Sequence, residues 1–133
     1  MRVVLDTNVL MSGIFFSGPP ARIVQKFAAG ELNLALSEEI IEEYYRVGEE
    51  LADRYPGVDP VPLVDVVVTY GRIYQVAELP RQVCDDPDDD KFLACALACG
   101  GRLVISGDRA LLRASGYREV IVVCPRDFLK ELG

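Results

Sequence analysis

Residues Gln82 to Asp108 read QVCDDPDDDKFLACALACGGRLVISGD. Five of the six positions from Asp85 to Asp90 are aspartate, and the eight from Phe92 to Cys99 are all apolar or cysteine. Asp88 or Asp89 suits the cap of a helix, where unpaired N–H groups and the helix dipole favour negative charge. That helix reaches Cys99, and Gly100-Gly101 ends it. Leu103 to Ser106 then reads as a short buried strand, with Asp108 one glycine beyond it. The densest negative charge thus lies in the middle of the chain, directly against its most apolar segment. N-capping accounts for one or two aspartates, not five.

The same alternation extends outward in both directions. Arg2 to Leu5 is an apolar run ending at Asp6, a buried first strand, and Thr7 to Ser12 turns helically. Prolines 19 and 20 open a helix over Ala21 to Ala29. Leu32 to Leu36 is a second strand. Ser37 caps a helix running to about Ala52, with Glu38 and Glu39 in its first turn. Three prolines and a glycine make Asp53 to Pro62 a loop. Leu63, Val66, Val67 and Tyr70 follow helical spacing, and Ile73 to Ala77 reads as a third strand. Residues 107–114 then form a short helix, Glu119 to Cys124 a fifth strand, and Pro125 opens a last helical turn or two. Strands alternating with helices predict a three-layer α/β/α sandwich around a mostly parallel sheet of roughly five strands. With 133 residues, no internal repeat and no linker, the chain is expected to form one domain, 1–133.

Composition narrows the chemistry. Histidine is absent, which excludes serine–histidine and cysteine–histidine catalysis. Four cysteines occur, Cys84, Cys95, Cys99 and Cys124, without a C-x-x-C pair; small buried side chains in a reducing compartment fit better than a zinc site. No apolar run is long enough to span a membrane, and MRVVLDTNVL lacks the features of a signal peptide, so a cytoplasmic location is expected. The net charge of −7 argues against a broad basic surface for nucleic acid. Arg22, Lys26, Arg102, Arg109 and Arg113 are candidates for a local basic rim, although single exposed cations are more often ordinary solvated surface.

In parallel sheets, functional groups gather at the carboxyl ends of strands, where Asp6 and Asp108 fall. On the Ser37 helix, Ile40, Tyr44, Val47 and Leu51 mark the apolar stripe; Glu43 lies at its border, Glu42 nearly opposite. The helix after the aspartates is apolar on every side, so periodicity does not rank Asp88, Asp89 and Asp90. A run of like charges is destabilising unless neutralised. The most economical answer is a divalent cation shared by Asp6, Glu43, Asp90 and Asp108, and an all-oxygen set suits Mg2+ or Mn2+.

Four segments, MRVVLDTNVLMSG, SEEIIEEY, DPDDDKFLACAL and LVISGDRALL, together resemble the PIN-domain family of ribonucleases, and within it the VapC-like toxins of toxin–antitoxin systems. The resemblance covers nearly the whole chain. It implies metal and catalytic roles for Asp6, Glu43, Asp90 (with Asp88 its rival) and Asp108, supported by Asn8 and Ser106. It implies an Mg2+- or Mn2+-dependent endonuclease acting on single-stranded RNA, a homodimer, and an antitoxin partner. A non-catalytic module of the same fold, using its acids for cation-dependent assembly or antitoxin docking, is the alternative. A phosphatase would want a second aspartate at position 8, which is Asn8. A receiver domain would want a lysine after the fifth strand, where Pro125-Arg126 stands.

Overall fold

A computed structural model of the protein describes residues 1–131; Leu132 and Gly133, the end of the expected 1–133 domain, lie outside it. The chain alternates as the sequence implies. Strand β1 (Arg2–Leu5) leads into helix α1 (Thr7–Phe15) and then α2 (Pro19–Ala28), which starts on the two prolines. Strand β2 (Asn33–Leu36) is followed by α3 (Glu38–Arg54) and α4 (Val61–Tyr70). Strand β3 (Arg72–Ile73) precedes an irregular segment and a 3₁₀ turn at Pro87–Asp89 that runs into α5 (Asp90–Cys99). Strand β4 (Leu103–Ile105), α6 (Arg109–Arg113), β5 (Ile121–Val123) and α7 (Pro125–Glu131) complete the described residues.

The five strands form one sheet in the order β3-β2-β1-β4-β5, and every pairing is parallel. Helices flank it in an α/β sandwich. The chain builds outward from β1 to β3 on one side and returns to add β4 and β5 on the other. The order therefore reverses between β1 and β4, and the crevice beyond the carboxyl ends of those two strands is where such sheets place ligands. Register sets what stands there. Leu5 pairs with Ile105. Asp6 and Ser106 come next on their strands, and the Asp6 N–H donates to the Ile105 carbonyl at 3.0 Å.

Helix α5 is apolar on nearly every side because it is buried on nearly every side: Phe92, Leu93, Ala94, Cys95, Ala96 and Cys99 all enter the core, and it packs on β1, β2 and β4. Gly100, at φ 76°, ends it in the left-handed conformation glycine adopts without strain. Gly101 is fixed by space, since a Cβ there would meet the Arg2 carbonyl oxygen at 2.5 Å. The four thiols are free, with Cys84, Cys95 and Cys99 buried.

Ser37 caps α3 as expected, its hydroxyl accepting from the Ile40 N–H at 3.3 Å. The buried line of that helix is Ile40, Tyr44 and Gly48, while Val47 and Leu51 sit at its margin. Pro60 and Met11 pack over Gly48, which draws the stripe's centre toward the glycine. Tyr44 is fully buried and donates from its hydroxyl to the Leu5 carbonyl at 2.7 Å, fastening α3 to the end of β1.

Three expectations need correction. Helix α4 forms, but its buried face is Val64 and Val67; Leu63, Val66 and Tyr70 point outward, Tyr70 being 77% exposed. A helix rich in apolar residues carries several possible stripes, and spacing alone picks the wrong one. The third strand is two residues long instead of five: the Tyr74 N–H still bonds the Leu36 carbonyl at 2.8 Å, and the chain then leaves this sheet edge. The fifth strand starts at Ile121, because Tyr117–Glu119 forms a 3₁₀ turn in which Arg118 and Glu119 take positive φ. The α4 assignment is checked by urea denaturation: Val67→Ala is expected to cost about 2 kcal/mol, through lost burial and a cavity. Val66→Ala is expected to stay within about 0.5 kcal/mol. The reverse order would contradict the observed face.

Candidate metal centre

The crevice between β1 and β4 is built around Asp6. The residue closes β1, and its carbonyl accepts from Val9 and Leu10 N–H groups, so it is also the first residue behind α1. Asp6 is buried, 5% exposed as a residue. The Ser106 hydroxyl, itself fully buried, donates to Asp6 Oδ2 at 2.6 Å and accepts from the Asp108 N–H at 3.0 Å. One hydroxyl thus joins an acid at residue 6 to the turn that carries another at residue 108. Asp108 caps α6, Oδ1 accepting from the Ala110 N–H at 2.7 Å. Burial raises the Asp6 pKa above the ordinary carboxylate value; the Ser106 hydroxyl and the Asn8 N–H work against that, and Asp108 and Glu43 add to it. Asn8 itself is exposed.

Glu43 stands at the border of α3, half-buried, as its place on the helix implies, whereas Glu42 is exposed. The Thr7 hydroxyl donates to its Oε2, and Lys91 Nζ lies 2.8 Å from Oε1.

The aspartate run separates into individual roles. Asp85 pairs with Arg113 at 2.6 Å on the surface. Asp86 caps the 3₁₀ turn, accepting from the Asp88 N–H at 3.0 Å. Asp88 is exposed and its carbonyl accepts from Lys91. The two carboxylate oxygens of Asp90 accept from the Val83 and Cys84 N–H groups at 3.0 and 2.7 Å, stapling the preceding loop to the start of α5. Asp89 is half-buried. Its pKa is pushed up to about 7, first by burial, then by the charges of Asp108, Asp6 and Asp86, with Lys91 pulling the other way. Of the sequence candidates, Ser106 joins Asp6 to the Asp108 turn and Glu43 acts on the charge of Asp6, while Asp90 bonds the preceding loop, Asp88 is exposed, and within the run it is Asp89 whose charge Asp108 and Asp6 oppose. Asp86-Pro87 carries the signal: a capping aspartate before a proline starts the first turn at residue 87.

Each acid leans on a protein donor, and among the described residues no three acidic or cysteine side chains converge closely enough as they stand to hold one ion. The donor chemistry nonetheless fits a hard divalent cation, being wholly carboxylate oxygen. The charge of Asp108 raises the pKa of Asp6, and the charges of Asp108 and Asp6 raise that of Asp89. A groove of about 900 Å³ is lined by Asp88, Asp90 and Lys91 with residues between Ile73 and Gln82; Asp6, Glu43, Asp89 and Asp108 do not line it. Of the cations considered as a basic rim, Lys26, Arg102 and Arg113 pair with Glu31, Glu119 and Asp85. Among the described residues no helix is long and apolar enough to cross a membrane.

A cluster of carboxylates at the switch point of a five-stranded parallel sheet defines a class of acid-centred α/β proteins. A family model for the PIN domain matches residues 2–110, more than half of the chain and with it Asp6, Glu43, Asp89 and Asp108, and the protein belongs to that family, whose members are in general nucleases. No curated protein and no solved structure matches the chain.

The separate roles of Asp89 and Asp90 predict opposite stability effects in EDTA. The folded protein holds a proton on Asp89 more tightly than the unfolded chain does, so stability falls as pH rises from the ordinary aspartate value toward 7. Asp89→Asn is expected to flatten that slope in thermal melts across the range. Asp90→Asn is expected to keep the slope and lower stability by about 2 kcal/mol, through two weakened charge-assisted bonds. A flattened slope in Asp90→Asn with none in Asp89→Asn would reverse the assignment.

Proposed function

We propose that the protein is an Mg2+- or Mn2+-dependent endoribonuclease that hydrolyses single-stranded RNA at the crevice between β1 and β4. The observation that supports the reading is the meeting of the buried Asp6 carboxylate and the Asp108 turn on one Ser106 hydroxyl at the carboxyl edge of the sheet, where burial and the charge of Asp108 raise the Asp6 pKa. Repulsion of this kind is tolerated where function needs it and a cation relieves it. Family membership supports the same chemistry.

Asp6, Asp89 and Asp108 are the residues that would hold the ion, with Glu43 beside them. When bound, such an ion supplies a nucleophilic water at neutral pH and positive charge for the phosphate oxygens. The chain contributes position. Ser106 fixes the Asp6 carboxylate and the Asp108 turn through one hydroxyl, and Thr7 orients Glu43. The absence of histidine leaves carboxylates as the natural acid–base groups.

The toxin role, the antitoxin partner, the homodimer and the cytoplasmic location belong to this proposal on the strength of the four motif segments and the lack of a membrane-crossing helix among the described residues. The net charge of −7 means that RNA approaches a site made attractive by its bound cations, not by a basic surface.

The test is cleavage of several single-stranded RNAs with Mn2+ by the wild-type protein and by Asp6→Asn and Asp89→Asn. Each substitution is expected to lower the rate at least about a hundredfold with the fold intact, the scale seen when one charge-stabilising group is lost. Equal activity in all three preparations would mark a contaminant and favour the non-catalytic, antitoxin-docking module.

A further inference from the structure

The groove of about 900 Å³ has a charge balance of its own. Its lining runs from the first turn of α3 across residues 73–82 to the start of α5. Ile41, Ile73, Val76, Leu79 and Ala94 supply apolar surface. Glu38, Glu39, Glu78 and Asp88 line it as well; all four are exposed, and none is in an ion pair among the described residues. The start of α3 favours Glu38 and Glu39 by itself, but Glu78 lies on no helix. Two cations line the groove, and one of them, Lys91, is bound to Glu43 at 2.8 Å. That leaves Arg81 against four unanswered carboxylates. Such a balance repels phosphate and attracts a partner that carries cations.

The backbone beside these acids is open. Strand β3 is at one edge of the sheet. The Tyr74 N–H bonds the Leu36 carbonyl, so the alternation of a parallel ladder turns the N–H and carbonyl of Ile73 away from β2. Past Ile73 the chain forms no helix or strand before Pro87, and among the described residues no backbone group of residues 75–81 joins a backbone–backbone hydrogen bond. Tyr74, Val76 and Leu79 pack against the core, while Gln75, Ala77 and Glu78 are exposed. Side chains thus tie the segment down and leave its main chain free to pair. An unpaired sheet edge is where another chain adds as a strand, with main-chain bonds for affinity and alternate side chains for specificity.

We propose that this groove docks an extended, basic segment of a partner protein. Its main chain adds at Ile73 and the residues that follow, its lysines or arginines meet Glu38, Glu39, Glu78 and Asp88, and its alternate apolar side chains lie on Ile41, Val76 and Leu79. RNA is repelled by the same acids, and a second copy of this chain brings a net charge of −7 of its own. The proposal goes beyond the nuclease reading and holds whether or not the crevice cleaves RNA.

The test is fluorescence anisotropy at physiological salt with a labelled peptide of about ten residues that alternates lysine and valine, long enough to span a typical strand. The wild-type protein is expected to bind it. A peptide N-methylated at alternate bonds keeps every side chain and loses one edge of donors; it is expected to bind at least about tenfold more weakly. Glu38→Lys with Glu39→Lys is expected to weaken binding at least about tenfold, and Glu78→Lys with Asp88→Lys, outside α3, to do the same. Glu49→Lys with Glu50→Lys, an equal change of charge at exposed positions of α3 outside the groove, is expected to stay within about twofold. Folding of each variant is verified by thermal melting, and if the Glu38 and Glu39 pair does not fold, the Glu78 and Asp88 pair decides. No binding by the wild type, equal loss in the Glu49 and Glu50 pair, undiminished binding of the N-methylated peptide, or displacement of the peptide by single-stranded oligouridylate would each overturn the proposal. Asp6→Asn, which probes the nuclease reading, is expected to bind the peptide as the wild type does, so the two readings fail separately.

Discussion

The hydrogen bond from Ser106 to Asp6 joins residues 100 positions apart and fixes the centre of the molecule. A carboxylate this enclosed is costly unless donors surround it, and the donors come from the fold itself. The parallel pairing of β1 with β4 brings Ser106 level with Asp6. The same hydroxyl then accepts from the Asp108 backbone, so the turn into α6 is set by the bond that holds Asp6. Tyr44, bonded to the last carbonyl of β1, brings α3 and therefore Glu43 to the same edge. Strand order and helix placement in this way bring Asp6, Ser106 and the Asp108 turn to one buried polar contact at the point where the sheet reverses.

Much of this is legible in the sequence because backbone punctuation is local. Proline pairs open α2, Ser37 caps α3, and Gly100 closes α5, and each acts through its own φ or its own side chain. Glu43 was readable for a related reason: α3 has one apolar stripe, and a border position has one direction to face. The same logic fails on α4 and α5. On α4 too many apolar residues compete, and contact with β2 and β3 selects Val64 and Val67 over Leu63 and Val66. On α5 every side is buried, so no periodicity distinguishes Asp89 from Asp90. What separates them is tertiary: the N–H groups of Val83 and Cys84 claim Asp90, while the charges of Asp108 and Asp6 act on Asp89.

The aspartate run that looks like excess charge is a set of five distinct uses. One aspartate pairs with an arginine, one caps a turn, one stays in water, one staples a loop, and one is opposed by the charges of Asp108 and Asp6. Only the last meets charges of its own sign without a partner of its own. The division matters for function, because charge already answered by protein donors has little left to offer an ion. Glu43 and Asp90 are answered in this sense, one by Lys91 and Thr7, the other by backbone amides, and neither signal is written in helical spacing.

The central proposal is that a divalent cation binds where Asp6, Asp89 and Asp108 stand at the carboxyl edge of the sheet. It is tested most directly by anomalous diffraction from a crystal soaked in Mn2+. A peak in contact with the carboxylates of Asp6, Asp89 and Asp108 is the expected result. Anomalous density confined to the outer surface, or lodged against Asp90 with the crevice empty, would contradict it.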